Sequence, residues 1–362
     1  MFSQLKNTIF AAVAPHLTLP LMGLDISDRT AKFLKLDSRK SELECFGNVD
    51  IPEGLIEHGE LKDEEKIVKV LKNYFADNQD HFHPFVAVSL PEEGGFLRVI
   101  QVPKVKREEV GNAVRWGIEG NIPLSAEDLY FDHEIIESRD GAVKDHSDVV
   151  ITAFPKTIVE SYMRVLKQTG FRPLALELES QAIVRAVSTA LGEHAVIIAD
   201  MGRTRTSLIV FANGAIRYTT TIEFGGKILE ENISRSLKIS LPEAIEVKIK
   251  TGISKSEYGG KLFSDLMPAL SVLADEFRRT VDYYIHHTEH SHDGNTIEKV
   301  LLVGGDANLF GLSAYLSSSL KIPVSIISPL ELFYQTGSRP VPALSRHTSL
   351  GYATAIGLAL RN

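Results

Sequence analysis

Two aspartates set the chemical problem. Asp25 in "MGLDISDRTAKFLKL" (22–36) and Asp200 in "IIADMGRTRTSLIVFANG" (197–214) each break an apolar run. A small residue, Ser27 or Gly202, follows two positions later, then hydroxyl and charged side chains and a second β-type run. The aspartates are 175 positions apart, about half of the 362-residue chain. Strand, tight turn and strand make a hairpin, whose tip offers several backbone N–H groups in one direction; Gly or Ser there lets an anion come close. Two facing tips could clamp a phosphate chain. Carboxylates so near phosphate would repel it, so Asp25 and Asp200 make sense as partners of a Mg2+ ion held through its waters. Turn chemistry alone explains Asp before Gly or Ser in either hairpin; the matched pair at half-chain spacing favours the clamp.

The elements needed to position such hairpins can be read along the chain. "FVAVSLP" (85–91) and "KVLLVGG" (299–305) are short apolar runs ending at turn residues, as buried strands do. Gly304 and Gly305 stand where a strand yields to the helical pattern "NLFGLSAYLSSSL", a turn that lets a ligand approach backbone. Leu266, Leu270, Leu273, Phe277, Val281 and Tyr284 form one core-facing helical stripe. "ESQAIVRAVSTAL" (179–191) and "GYATAIGLAL" (351–360) are rich in small residues, with Ala182 and Ala186, and Gly351, Ala355 and Ala359, spaced by four. They are either two crossing hinge helices between the halves or ordinary tight packing within one domain.

A chain of 362 residues with 44% hydrophobic and 24% charged residues is long enough for two or more globular domains. A net charge of -8 and no basic block argue against a nucleic-acid partner. Cys45, the single cysteine, cannot form an internal disulfide, which fits a reducing compartment and favours the cytoplasm. No apolar run is long enough to span a bilayer. The start "MFSQLKNTIFAAVA" faintly resembles a cleaved signal, but Phe2, Leu5, Ile9 and Val13 form a helical apolar stripe, read as packing on its own domain or docking to a partner or membrane surface. His286, His290, His292 and Asp293 in "HHTEHSHDG" lack a recognisable metal-ligand framework and read as a solvated helix end. Walker A, HExxH and GxSxG patterns are absent from the sequence.

Hairpin, connecting helix, second hairpin, Gly-Gly turn and C-terminal small-residue helix occur here in the order of the actin, Hsp70 and sugar-kinase superfamily. "IQVPKVKREEVGNAVRWGIEGNIPLSAEDLYFDHEII" (100–136) resembles the inserted subdomain IC of the PilM family, the actin-like proteins of type IV pilus assembly. "LLVGGDANLFGLSAYL" and "GYATAIGLALRN" also resemble PilM segments, so the likeness covers nearly the whole chain. The resemblance implies an α/β actin-like ATPase fold of two ribonuclease-H-like halves. Its divisions are an N-terminal amphipathic segment (1–20), subdomain IA with the first hairpin (21–91), inserted IC (92–172), the IA connecting helix (173–192), IIA with the second hairpin (193–225), IIB (226–296), IIA with the adenosine turn (297–345) and a hinge helix returning to IA (346–362).

The nucleotide site so implied binds ATP and Mg2+ through Asp25, Ser27 and Asp28 of the first hairpin; Asp200, Gly202, Arg203, Thr204 and Thr206 of the second; Lys248 of IIB; and Gly304, Gly305 and Asp306 of the adenosine turn. Several residues depart from the family pattern. Ser27 stands where Gly is common, Asp28 adds charge, Arg203 and Arg205 replace small or neutral residues, Asp306 replaces a third Gly, and Ile245 stands where Glu is frequent. Arg203 is either a phosphate contact or a solvated surface arginine. Glu177 and Glu179 precede the connecting helix, near where some relatives orient an attacking water, and read as structural. With no positioned base evident, hydrolysis is expected to be slow or absent.

The expected function is a cytoplasmic adaptor, peripheral at the inner membrane through its partners, that binds the cytoplasmic tail of a PilN-like membrane protein and meets other pilus platform proteins. The alternatives are an FtsA-like polymer-forming scaffold and a sugar-kinase-type phosphotransferase. FtsA usually continues into a membrane-targeting helix, whereas this sequence stops at Asn362. In the helix expected from Arg107 to Gly120, Val110, Ala113, Val114, Gly117 and Ile118 form the apolar stripe, and Trp116 lies off it, roughly 240° from Val110. Trp116 therefore either packs against IA or stands available to a partner peptide.

Overall fold

The computed structural model describes residues 21–37, 42–106, 109–136, 146–192, 194–254, 257–287, 296–334 and 343–361. Phe2 to Val13, His290, His292 and Asp293 lie outside them.

The first half is built on strands β1 (Met22–Ile26), β2 (Thr30–Asp37) and β3 (Glu42–Asp50), followed by the small hairpin β4 (Ile56–Glu57) and β5 (Glu60–Leu61), helix α1 (Glu64–Asp77) and strand β6 (Phe85–Leu90). β1 and β2 form the expected hairpin, antiparallel with Asp25 opposite Lys32, while β1 runs parallel to β6. Val86 to Leu90 are buried on both faces, as a central parallel strand requires.

An inserted block follows: β7 (Phe96–Pro103), α2 (Val110–Asn121), β8 (Leu129–Ile135) and β9 (His146–Pro155). Its antiparallel sheet has the order β7-β9-β8. Val110, Val114 and Ile118, spaced by four on α2, bury themselves with Ile100, Val102, Val149 and Ile151 of the sheet. This sheet ends at Pro155. Helix α3 (Lys156–Thr169) and strand β10 (Arg172–Leu178) return to the first half, where β10 pairs parallel with β6. Four strands of the main sheet thus precede the insertion and the fifth follows it, in the order β10-β6-β1-β2-β3.

The chain then enters α4 (Glu179–Ala186) and the second half: β11 (Ala195–Met201), β12 (Thr206–Ala212), β13 (Ala215–Ile222), α5 (Gly226–Leu237), α6 (Leu241–Thr251), α7 (Lys261–His287), β14 (Ile297–Val303), α8 (Leu312–Leu320) and β15 (Val324–Ile326). Its sheet order, β13-β12-β11-β14-β15, repeats that of the first half. On α7 the stripe Leu266, Leu270, Leu273 and Phe277 is buried in a core shared with β11, β12 and β14.

The last helix, α9 (Ala353–Ala359), packs on α4 and on β1. Small residues allow this. A side chain on Gly357 would collide with the Ala182 carbonyl, and one on Gly23 with the carbonyl of Ala355. The small-residue stripe is not one continuous helix: residues Leu350–Tyr352 form a tighter 3-10 turn, which brings Gly351 beside Gly305 and Lys32.

Candidate functional site

The hairpin β1–β2 of one half and β11–β12 of the other converge on a cavity of about 630 Å3. Asp25, Ser27, Asp28, Asp200, Gly202, Arg203, Thr204, Gly304, Gly305 and Asp306 all border it. Residues from positions 25 to 306 therefore meet at one place, because each strand carries its residues to the same end of its sheet.

At the first tip, the Ser27 N–H donates to the Thr30 carbonyl at 2.8 Å, and the Ser27 hydroxyl donates to that same carbonyl at 3.0 Å. The added side chain is thus folded onto its own hairpin. Asp28 is engaged on both oxygens: Oδ1 accepts from the Gly59 N–H at 3.0 Å, and Oδ2 accepts from Arg205 Nη1 at 3.0 Å. Asp25 accepts from the Ser89 hydroxyl at 2.8 Å.

At the second tip, Gly202 closes the turn by donating to the Arg205 carbonyl at 2.9 Å, in a space where a Cβ would meet that oxygen. Gly304 has φ +90°, and a side chain there would collide with the Asp200 carboxylate and the Met201 backbone. Gly305 faces open space.

The electrostatics are dominated by crowded carboxylates. Burial pushes Asp200 up to about 6, and the charge of Asp25 adds to the shift, while Lys32 and Arg205 oppose it. Burial also raises Asp25, against Lys32, Ser89 and Arg205. Glu179, the first residue of α4, is held well above the usual carboxylate range by burial and then by Asp25. A divalent cation among these groups would offset the cost of burying their charges, which raises all three, and the repulsion by Asp25 that adds to it at Asp200 and Glu179. Among the described residues no three His, Cys, Asp or Glu groups gather closely enough to hold a metal directly.

Other predicted residues lie elsewhere. Thr206 is fully buried in β12 and donates to the Phe224 carbonyl at 2.7 Å; strand alternation turns it into the core, away from the cavity. Lys248 is buried behind the cavity wall, pairing with Glu230 at 2.7 Å and Asp306 at 2.6 Å. Arg203 is half-exposed and pairs with Glu230 at 3.2 Å. Asp306 thus joins a charged network tying the Gly-Gly turn to α5 and α6. Trp116 does not pack against the first half; it is 76% exposed.

The sequence gives no role to Lys32, marks Arg205 only as a departure from the family pattern and reads Glu179 as structural. Lys32 lines the cavity, and its charge opposes the raised pKa of both aspartates more strongly than Arg205 does. A signal for it existed: an Asp and a Lys on facing strands of one tight hairpin fall opposite each other on the same face. Arg205 had no local signal, since its partners are distant in sequence.

A family model described as Type IV pilus assembly protein PilM matches residues 23–362. The chain is similar to one in a solved structure titled "PilM-PilN type IV pilus biogenesis complex", at 22% identity and TM-score 0.77, covering 95% of this chain and 98% of that one. It is also similar in fold to MreB5 of Spiroplasma citri bound to ADP, at 13% identity and TM-score 0.57, covering 94% and 95% of the two chains. Among curated proteins, the cell division protein FtsA of Neisseria meningitidis is 30% identical over 105 residues, 29% of this chain and 25% of that protein. That match spans about a quarter of the relative's length. The fold is the α/β actin-like ATPase fold.

Proposed function

Because the chain belongs to the PilM family of type IV pilus assembly proteins, we propose that it is a nucleotide-binding adaptor, holding Mg2+–ATP between its two hairpins and offering its inserted sheet to the tail of a PilN-like membrane protein. The observation that carries the nucleotide reading is the meeting of Asp25 and Asp200 in one cavity walled by both hairpin tips and the Gly304–Gly305 turn. The tips and the open Gly305 turn suit phosphate and sugar, and Lys32 supplies a positive side chain to the phosphate end. The metal would sit through water beside Asp25 and Asp200 and neutralise phosphate charge; Gly202, Arg203 and Thr204 would border the phosphates, with Ser27 and Asp28 across from them. Asp306, with Lys248 behind it, would flank the nucleoside end.

Calorimetry tests this directly. Mg2+-dependent ATP binding that weakens in Asp200→Ala is expected, and tight binding unchanged in that variant refutes the clamp. Turnover is expected well below the roughly 1 per second at the slow end of kinases, because no positioned base is evident and Asp28 and Asp306 depart from the family pattern. Steady-state phosphate release at or above that rate refutes the reading of the site as a slow one.

The partner reading rests on Trp116, an exposed aromatic on a helix whose other apolar residues are consumed by its own core. Among the described residues no helix is long and apolar enough to cross a membrane. A synthetic peptide of the cytoplasmic tail of a PilN-like membrane protein should change Trp116 emission on titration. Full affinity in a folded Trp116→Ala variant, with no spectral change in the unsubstituted protein, would move the partner elsewhere. Nucleotide-dependent sedimentation into filaments would favour the FtsA-like scaffold instead.

A further inference from the structure

The insertion is rooted in a short turn. β6 ends at Leu90, residues Glu92–Gly94 make a single 3-10 turn, and β7 begins at Phe96. Both acids of that turn are anchored to other parts of the molecule. Glu93 pairs with Arg205 of the second hairpin at 2.7 Å, and the same guanidinium pairs with Asp28 of the first hairpin at 3.0 Å. Glu92 is buried and accepts from the Ser180 N–H, at the start of α4, at 3.2 Å. Only 13% of the Arg205 side chain is exposed, so water screens these pairs weakly. Past the root, β7 and β9 pack against β13, the edge strand of the second half. Arg205 borders the cavity, whereas Glu93 does not.

We infer that Arg205 is a positioning residue that ties the second hairpin to the root of the inserted sheet, so that a phosphate chain arriving between the hairpins is felt at the face carrying Trp116. One side chain holds three elements: the first tip, the second tip and the turn from which the insertion springs. Any change in the separation of the tips must either break a shielded charge-assisted contact or move the turn. A phosphate oxygen is also a competing acceptor for the same guanidinium, and Glu93, once released, no longer fixes the entry of β7. The tie itself stands without a ligand; its response to a phosphate chain rests on the nucleotide reading above.

The test separates these two levels. In the ligand-free protein, hydrogen exchange is read at the amides of Gly94 and Gly95, which donate to the carbonyls of Pro91 and Glu92. Glu93→Gln and Arg205→Gln should each speed that exchange roughly tenfold, and the double variant should do no more than the faster single one. Unchanged exchange in both single variants, or additive effects in the double, overturns the tie. Acrylamide quenching of Trp116, the one tryptophan of the chain, is then followed with Mg2+–ATP. The unsubstituted protein should shift, and Glu93→Gln, shown by calorimetry to bind, should lose the shift; a full shift in Glu93→Gln overturns the coupling. An unsubstituted protein that binds no Mg2+–ATP refutes the nucleotide reading and the response together, while the exchange result decides the tie by itself.

Discussion

In the first half, β1 pairs antiparallel with β2 and parallel with β6; in the second, β11 pairs antiparallel with β12 and parallel with β14. The backbones repeat, yet the two aspartates at the repeated position live differently. Asp25 has a hydroxyl donor in Ser89, from the neighbouring parallel strand. Asp200 lies against Gly304, which has no side chain and tolerates none. A duplicated topology therefore fixes where a carboxylate is delivered, whereas the neighbouring strand end decides what stabilises it. The second half offers its carboxylate no hydroxyl at the equivalent strand end.

The largest test of that contrast is Gly304→Ala against Ser89→Ala. The first forces a side chain into a φ of +90° and into the Asp200 carboxylate, combining backbone strain with overpacking. A loss of about 3 kcal/mol or more is expected in chemical denaturation. Ser89→Ala removes one hydrogen bond to a carboxylate, at about 1.5–3 kcal/mol. Equal costs would mean that the two strand ends are interchangeable after all.

The next test uses pH. Asp200 holds its proton more tightly folded than unfolded, so its contribution to ligand-free stability is full below the unfolded value of 3.8 and is lost as pH rises through about 6. At 1.4 kcal/mol per pH unit that window is worth up to about 3 kcal/mol, less whatever solvent in the cleft screens. Asp200→Asn should therefore raise the melting temperature at pH 7.5 and flatten the rise in stability between pH 6 and 4. The same variant should lose Mg2+-dependent ATP binding, so that stability and binding move in opposite directions. A variant less stable than the parent at pH 7.5 would show that Asp200 is well supported without a ligand.

Much of this architecture is legible in the amino-acid order. The spacing of Asp25 and Asp200, the glycine-ended strand before Gly304 and the stripe on α7 depend on local periodicity and turn chemistry, and the structure places all three as expected. Trp116 off its helical stripe announces an exposed ring by the same logic, though only the structure decides between packing and exposure. What was illegible is pairing over distance. Arg205 finds Asp28, 177 positions away, and Lys248 finds Asp306, 58 away; no period in the sequence says which charged side chains meet once the sheets are stacked. Thr206 was misplaced for a simpler reason. It was expected among the nucleotide-binding residues of the second hairpin, but β12 begins with it and turns that side chain inward.

The smallest effect belongs to Ser27. Judged from its type alone, a side chain at the tip should hold a phosphate away, and Ser27→Gly should tighten ATP binding markedly. Its hydroxyl instead folds back on the Thr30 carbonyl at 3.0 Å and meets the Thr30 hydroxyl at 3.1 Å, leaving the tip in the turn that Gly202 makes across the cleft. Deleting it removes one partly exposed hydrogen bond that is turned onto its own hairpin, and the greater freedom of the unfolded chain at glycine adds to the cost. Ser27→Gly should then shift ATP affinity by less than about threefold and cost roughly 1 kcal/mol of stability. A gain in affinity of ten times or more would mean that the hydroxyl stands in the path of the phosphates, and that the two tips differ in the space they leave as well as in their chemistry.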